Sequence, residues 1–271
     1  YLMDPDSLRA NITERTRAVM VTNLWGMCAE LEEIRRICDE HNLFMIEDCA
    51  HSIGATLNGK HSGTIGDVGN FSFQQGKHMT TGDGGMMTTN REDIYHKLFN
   101  EWAFGESPNF MTLNFRMNEV TGAVGLAQLQ HVDNYIAEYT ENLRLYTEAI
   151  QGCPWLRPRA VTPGANHVGY QFACTWEGDK VGLDAEIFKQ AVREQGLGLR
   201  FGFIGKPAYL FDLFKVATAY NEPACPVRCP LYKSDYRYQE GLCPVAEDLM
   251  PRLITAGLIE VPPDEVKRRA K

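Results

Sequence analysis

Apolar positions recur along this chain in two rhythms. Across residues 29–41, Leu31, Ile34, Ile37 and Cys38 fall at helical spacing with Glu32, Glu33, Arg35 and Arg36 between them, which predicts an amphipathic helix. Residues 17–24 (RAVMVTNL) and 43–48 (LFMIED) are near-continuous apolar runs instead. They predict buried strands, the second of the kind that parallel sheets cover on both faces. Strand, helix and strand make a βαβ unit, whose handedness puts the helix on one face of a parallel sheet.

The same reading extends along the rest of the chain. Asp4-Pro5-Asp6-Ser7 signals a turn and N-cap for a short helix to about Ile12. Residues 67–73 and 84–89 predict two further short strands, separated by a loop that carries Lys77. A helix with an Asn cap and early acids is expected over 90–103, a loop over 105–112, and a long helical region over 118–146 with Leu126, Leu129, Val132 and Ile136 as its apolar ladder. After Gln151 the chain turns rich in Gly and Pro, so a boundary is expected there, giving domains over 1–150 and 151–271. In the second, residues 168–176 alternate like a half-exposed strand, 183–195 read as helix, 197–201 as strand, 207–244 as ordered loop with short helix, 246–256 as helix, and 264–271 as the start of another. The expected class is α/β with a mostly parallel sheet, followed by a smaller α+β domain.

Composition narrows the function classes. A formal charge of -8 argues against a nucleic-acid or anionic-membrane partner, and the one dense basic cluster is Lys267-Arg268-Arg269 with Lys271. No apolar run approaches the roughly 20 residues of a membrane span, and the first residues carry no leader-like pattern, so a cytoplasmic chain is expected. Eight Cys are scattered, several in apolar runs, which suits reduced thiols better than a disulfide framework. Cys225, Cys229 and Cys243 could be three zinc ligands, but the spacing is irregular and no fourth ligand is near, so no metal is expected.

Candidate chemistry gathers in residues 47–89, EDCAHSIGATLNGKHSGTIGDVGNFSFQQGKHMTTGDGGMMTT. Asp48 ends a predicted parallel strand, at the edge where open α/β sheets place ligands, although an Asp there can also simply cap the next turn. Lys77 follows Phe71-Ser72-Phe73 and precedes the Gly-rich segment 80–85, where backbone approaches a ligand closely; read alone it is equally a solvated surface Lys. A desolvated Lys can form a Schiff base with a carbonyl, and Ser72 can place a hydroxyl on an anion. An acid, a Ser and a Lys are what a pyridoxal phosphate site requires: a carboxylate for the ring nitrogen, a donor for the phosphate and an amine for the aldehyde.

Five ordered blocks, TNLWGMCAELEEI, IEDCAHSIGA, GDVGNFSF, GKHMTTGDGG and LNFRMNEVTGAVGLAQL, resemble the DegT/DnrJ-type sugar aminotransferases, which are fold-type I pyridoxal phosphate enzymes. The resemblance covers most of residues 1–150 and, more weakly, the rest. It implies an aspartate-aminotransferase-like large domain. It also implies that Lys77 is the internal-aldimine lysine, that Asp48 partners the ring nitrogen, and that Ser72 is a phosphate ligand. His51 matches the position, usually Gln in this family, beside the cofactor's phenolic oxygen. Asn114 matches the Asn that reaches the phosphate of the neighbouring subunit's cofactor, which implies a homodimer with shared active sites; a loop-capping role is the alternative. Arg116 is open to a substrate carboxylate or to ordering the same loop.

The implied reaction moves an amino group from an amino acid, glutamate or glutamine, to a keto-sugar, nucleotide-linked, or to a keto-cyclitol. Related dehydratases, aromatic-forming (aminohydroxybenzoate-type) synthases, or a non-catalytic truncated relative that binds or regulates are the alternatives. Sugar dehydratases of this kind carry His where Lys77 stands, so the Lys argues for transamination. The chain enters the family pattern partway, without the upstream turn and helix N-terminus that hold most of the phosphate, or the residue that stacks on the ring. A fragment of a longer protein is the expectation.

Overall fold

The computed structural model of the chain describes residues 1–99, 114–215, 237–259 and 261–270. Within these the chain forms two compact units, one comprising Tyr1–Glu148, Ala160–Phe172 and Gly257–Lys271, the other Ala149–Arg159 and Ala173–Ala256. The chain therefore crosses between units more than once, rather than at a single boundary near residue 150.

The first unit opens with α1 (Pro5–Asn11), capped by the Asp4 carboxylate on the Asp6 N–H. Strand β1 (Ala18–Thr22), helix α2 (Leu31–Glu40) and strand β2 (Phe44–Asp48) follow as the expected βαβ unit, with β1 and β2 parallel from Ala18↔Phe44 to Thr22↔Asp48. Helix α2 forms because its apolar residues share one face. Leu31, Ile34, Ile37 and Cys38 are fully buried there, and Leu31, Ile34 and Cys38 pack in one cluster with Val19, Val21 and Met45. Each of the larger side chains contributes about 1.5–3 kcal/mol by leaving water.

Both strands alternate in burial, which corrects the expectation of continuous burial. The residues facing α2 are inside, whereas Met20 on the opposite face is 59% exposed. An apolar run reports composition; which face is covered depends on elements elsewhere in the chain.

Next comes a hairpin that the apolar rhythm did not show, β3 (Thr56–Leu57) against β4 (Lys60–His61). Its turn is Asn58-Gly59 with φ of 49° and 80°, the conformation an Asn-Gly pair favours. Strand β5 (Val68–Ser72) joins β2 in parallel, and β6 (Gly85–Thr88) closes the sheet antiparallel to β5, giving the order β1-β2-β5-β6. Helix α3 (Glu92–His96) has Arg91 at its N-cap position with no side-chain capping bond, one residue beyond the expected Asn90, and the expected remainder to residue 103 reaches beyond the described residues.

The long helical region is two helices, α4 (Glu119–Leu129) and α5 (Val132–Ala149), interrupted at Gln130-His131. Asn118 caps the first by accepting from the Thr121 N–H at 2.9 Å. The expected ladder is not one buried stripe: Val132 is inside, but Leu126 is 68% exposed and Leu129 54%. The break at Gln130-His131 interrupts the helical period between Leu129 and Val132, which periodicity read across it could not register.

Residues 160–172 belong to the first unit because they add bridges to it, Met27↔His167 and Leu57↔Ala165, with the Val168 N–H on the Gly26 carbonyl at 2.8 Å. The second unit carries a four-stranded sheet of β7 (Leu156–Pro158), β8 (Gln171–Trp176), β9 (Arg200–Phe201) and β10 (Leu253–Gly257) in the order β7-β8-β10-β9. Strand β8 is buried from Phe172 to Trp176 rather than half exposed. Helix α6 (Ala185–Glu194), capped by Asp184, packs its Phe188 on Trp176 with ring centres 4.7 Å apart. Gly196 and Gly198, both at positive φ, shorten the following strand to two residues.

Helices α7 (Asp212–Lys215) and α8 (Pro244–Arg252) follow, the expected helix over 246–256 ending early. Pro251 lies one residue from the end of α8, and the β-branched pair Ile254-Thr255 then registers with Phe201 and Arg200 as strand. Helix α9 (Pro263–Ala270) is the last element. Among the described residues no helix is long and apolar enough to cross a membrane.

Candidate active site

The carboxyl ends of β1, β2 and β5 meet at one edge of the sheet. Their register places Thr22, Asp48 and Asn70 side by side on the face away from α2, with Ser72 one step further along that face. Asp48 is half-buried. One of its oxygens accepts from the Ala50 N–H at 3.0 Å, so it does cap the following turn, and the other faces the Thr22 hydroxyl at 3.4 Å.

Lys77 sits on the loop between β5 and β6, which is held by its own hydrogen bonds. The Lys77 N–H donates to the Gln74 carbonyl at 3.0 Å, Thr81 N–H to Phe73 O at 2.9 Å, and Phe73 N–H to Gly84 O at 2.8 Å. Phe73 and Met79 anchor the loop's ends in a small cluster with Val132. Between those anchors Lys77 is half-buried rather than a solvated surface residue. Burial lowers its pKa below the ordinary lysine value, while the charge of Asp48 acts in the opposite sense.

His51, three residues past Asp48, is near enough to feel both. Burial pushes its imidazole down to about 4, the Lys77 charge and His78 act in the same direction, and Asp48 opposes them. Its Nδ1 is buried without a hydrogen-bond partner among the described residues. Asp48, His51 and Lys77 thus form one electrostatically linked group. Ser72 shares the Asp48 face, and its hydroxyl accepts from the Gln74 N–H at 3.4 Å.

Asn114 stands apart from that group. It is exposed, accepts from the Arg116 N–H at 3.0 Å, and lines an open hollow of about 630 Å³ with Phe99, Phe115, Met117 and Glu119. The loop-capping bond considered from sequence is therefore present. The thiol cluster considered for zinc lies largely outside the described residues; Cys243 is exposed, and no group of three or more His, Cys, Asp or Glu among the described residues could hold a metal.

Several residues at this edge were not singled out from sequence. His78 is 3% exposed and its Nε2–H donates to the Val168 carbonyl at 2.8 Å, which ties the Lys77 loop to a segment 90 residues later. Tyr170, two residues beyond Val168, stacks on His51 with ring centres 4.1 Å apart and an interplanar angle of 18°. The Lys77 Nζ lies 5.4 Å from the centre of the same ring. The available signal was Gly169 beside an aromatic residue: its φ is +67°, and a Cβ there would meet the Tyr139 backbone at 2.3 Å.

Glu47, fully buried, was also passed over. Its carboxylate accepts from the Gly63, Ile65 and Gly66 N–H groups at 2.7, 2.8 and 2.6 Å and from Asn23 at 3.3 Å, which moors the loop before β5 to the sheet.

A half-buried amine, a carboxylate at the sheet edge and a buried, unpartnered imidazole nitrogen make a donor set that fits a cofactor carrying an aldehyde, a basic ring nitrogen and a ring oxygen. Solved structures identify the fold as that of the α/β aminotransferases. The aminotransferase from Psychrobacter cryohalolentis superposes with a TM-score of 0.80 at 25% identity, covering 99% of this chain and 70% of that one. The chain belongs to the DegT/DnrJ/EryC1/StrS aminotransferase family, whose sequence profile matches residues 1–228. Aminotransferases of this family depend on pyridoxal phosphate.

Among curated relatives, a GDP-perosamine synthase of Caulobacter vibrioides is 41% identical over 143 residues, 51% of this chain and 38% of that protein. An L-glutamine:2-deoxy-scyllo-inosose aminotransferase of Streptoalloteichus tenebrarius is 32% identical over 227 residues, 76% of this chain and 52% of that protein. The chain thus spans roughly half the length of the curated relatives it matches.

Proposed function

We propose that this protein is a pyridoxal phosphate-dependent aminotransferase that moves an amino group from glutamate or glutamine to a keto-sugar, nucleotide-linked, or to a keto-cyclitol. The observation that carries the reading is the half-buried Lys77 amine held beside the Asp48 carboxylate at the ligand-binding edge of the sheet. The names of the relatives support both acceptor classes, and an L-glutamine-dependent enzyme among them supports glutamine as donor.

The chemistry that pyridoxal phosphate supplies when bound is an aldehyde for amine exchange and a ring that accepts electrons from the substrate's Cα–H bond. Asp48, at the end of β2, would pair with the ring nitrogen. Lys77 would hold the cofactor through its aldehyde, and its amine would be the group that takes and returns the proton at the substrate's Cα. His51, neutral near pH 7 because burial holds its pKa down to about 4, would stand beside the cofactor's phenolic oxygen. The Ser72 hydroxyl would donate to the phosphate.

Asn114 completes the phosphate grip of a second copy in a homodimer. The exposed apolar residues of α4 and its approach, Phe115 at 65%, Val120 at 76% and Leu126 at 68%, support a self-associating face, since an exposed apolar patch of this kind is ordinarily covered. A cytoplasmic location is part of the same reading.

Half-reactions test this. The protein, loaded with pyridoxal phosphate and then given glutamine or glutamate, converts the cofactor from its aldehyde to its amine form, read by absorbance. Lys77→Ala abolishes the conversion, with a loss of at least about 10³-fold. Conversion by Lys77→Ala at the parent rate would defeat the reading.

A further inference from the structure

Lys77 and His51 approach each other from different loops, and one side chain touches both. Tyr170 lies under the His51 ring at 4.1 Å, nearly parallel, and its ring centre is 5.4 Å from the Lys77 Nζ. The ring of His78, the residue next to Lys77, is 5.5 Å from the same centre.

The segment that delivers Tyr170 is fixed on three sides. The Val168 carbonyl accepts from His78 at 2.8 Å, the Val168 N–H donates to Gly26 at 2.8 Å, and Gly169, at positive φ, lies so close to the Tyr139 backbone that no side chain fits. Gly26 is also close from the other direction: a Cβ there would meet the Tyr170 N at 3.0 Å. An aromatic ring so tightly mounted, in contact with two functional groups, does more than fill space.

We propose that Tyr170 is a positioning residue whose ring holds the Lys77 amine and the His51 imidazole in place for the reaction. This rests on the reading of those two groups as cofactor-facing. The stack keeps the His51 ring from turning about its side-chain bond, leaving its unpartnered Nδ1 in a fixed direction. The electron-rich face attracts the ammonium form of Lys77 and so restrains the chain between turnovers, when the amine is free. The phenol oxygen is not required for either effect, so a bare ring suffices.

The groups that face Lys77 are Asp48 from the end of β2, His51 beyond it, His78 beside it and Tyr170 itself. Removing only the π face, with apolar bulk kept, therefore moves the Lys77 midpoint down.

Tyr170→Phe and Tyr170→Leu, with Tyr170→Met as a second aliphatic variant, test the inference on the cofactor-free protein. Lys77 is labelled with acetic anhydride across pH and quantified by peptide mass spectrometry, and the His51 ring protons are followed by NMR. Tyr170→Phe matches the parent in both. The aliphatic variants lose the upfield ring-current displacement of His51 and lower the Lys77 midpoint by about half a pH unit, roughly threefold faster labelling at a fixed pH below it.

Aliphatic variants that unfold at the parent temperature yet keep both the parent midpoint and the parent His51 shifts overturn the inference, as does a midpoint that rises. Lower melting temperatures in the aliphatic variants with unmoved midpoint and shifts would mark the role as structural only, which also overturns it. Because neither readout uses pyridoxal phosphate, these results are separate from the proposed function, which fails instead if the parent does not attach the cofactor at Lys77.

Discussion

The two acids that end β2 point to opposite faces of the sheet and meet opposite surroundings. On the α2 side, Glu47 is fully buried and its two oxygens accept three backbone N–H groups and the Asn23 amide. On the other side, Asp48 is half-buried, with one short bond to Ala50 and a longer one to Thr22. Glu47 is committed to the chain's own loop. Asp48 keeps acceptor capacity for something else, beside a Lys and a His whose charged forms burial disfavours. Neighbouring carboxylates thus differ in the saturation of their oxygens, which residue type alone does not report, and the proposed role falls to the one left with spare acceptors.

Substitution of each acid separates the two faces most strongly. Glu47→Leu leaves three inward N–H groups without an acceptor, at about 1–3 kcal/mol each, so its urea midpoint falls by the equivalent of several kcal/mol. Asp48→Asn changes stability by less than about 1 kcal/mol but lowers transamination by roughly 10²–10³-fold, as loss of one preorganised charge does. Equal losses of stability in the two variants would break the comparison.

Acid titration probes the Asp48 face next. Burial, with the Lys77 charge adding to it, holds His51 and His78 at about 4 against 6.5 for a free imidazole. Above pH 6.5 both folded and unfolded states are neutral and stability is full. As pH falls from 6.5 to 4 the unfolded chain takes up protons that the folded one refuses, so stability drops by up to the order of 2–3 kcal/mol per histidine. His51→Gln therefore has a shallower loss of melting temperature over that interval than the parent; the same slope in both would remove His51 from the account.

A smaller effect comes from the mount behind the site. Gly169→Ala forces a side chain onto the Tyr139 backbone at a positive φ, costing about 1–3 kcal/mol in chemical unfolding while leaving the Glu47 loop's amide exchange unchanged. Smallest is Ser72→Ala, for which a fluorescence titration with pyridoxal phosphate shows an affinity lower by roughly tenfold, the worth of one hydrogen bond to a charged group.

Local pattern carried the βαβ unit well. The α2 stripe and the two parallel strands are where periodicity places them, because one face of α2 supplies the burial the spacing anticipates. Faces were harder. Met20 and Leu126 read as core and are exposed, since which side of a sheet or helix is covered depends on distant segments. The Asn58-Gly59 hairpin was written in the sequence and passed over, whereas the shift from helix to strand at Leu253 depended on pairing with Phe201.

In the candidate site, Asp48, Ser72 and Lys77 stand out as candidates from sequence because a strand-end acid and a Lys before Gly-rich backbone are local patterns. Tyr170 and His78 were not, because their significance arises only when residue 168 reaches back to residue 78. Glu47 was hidden for another reason: beside Asp48, nothing local distinguishes the acid that binds amides from the acid that remains available.

The account depends most on Lys77 being the lysine that takes the cofactor. Reduction of the pyridoxal phosphate-loaded protein with borohydride, followed by peptide mapping, tests it directly. A single pyridoxyl group on Lys77, absent when glutamine has first converted the cofactor to its amine form, is the expected result. A group on any other lysine, or none on Lys77, contradicts the account.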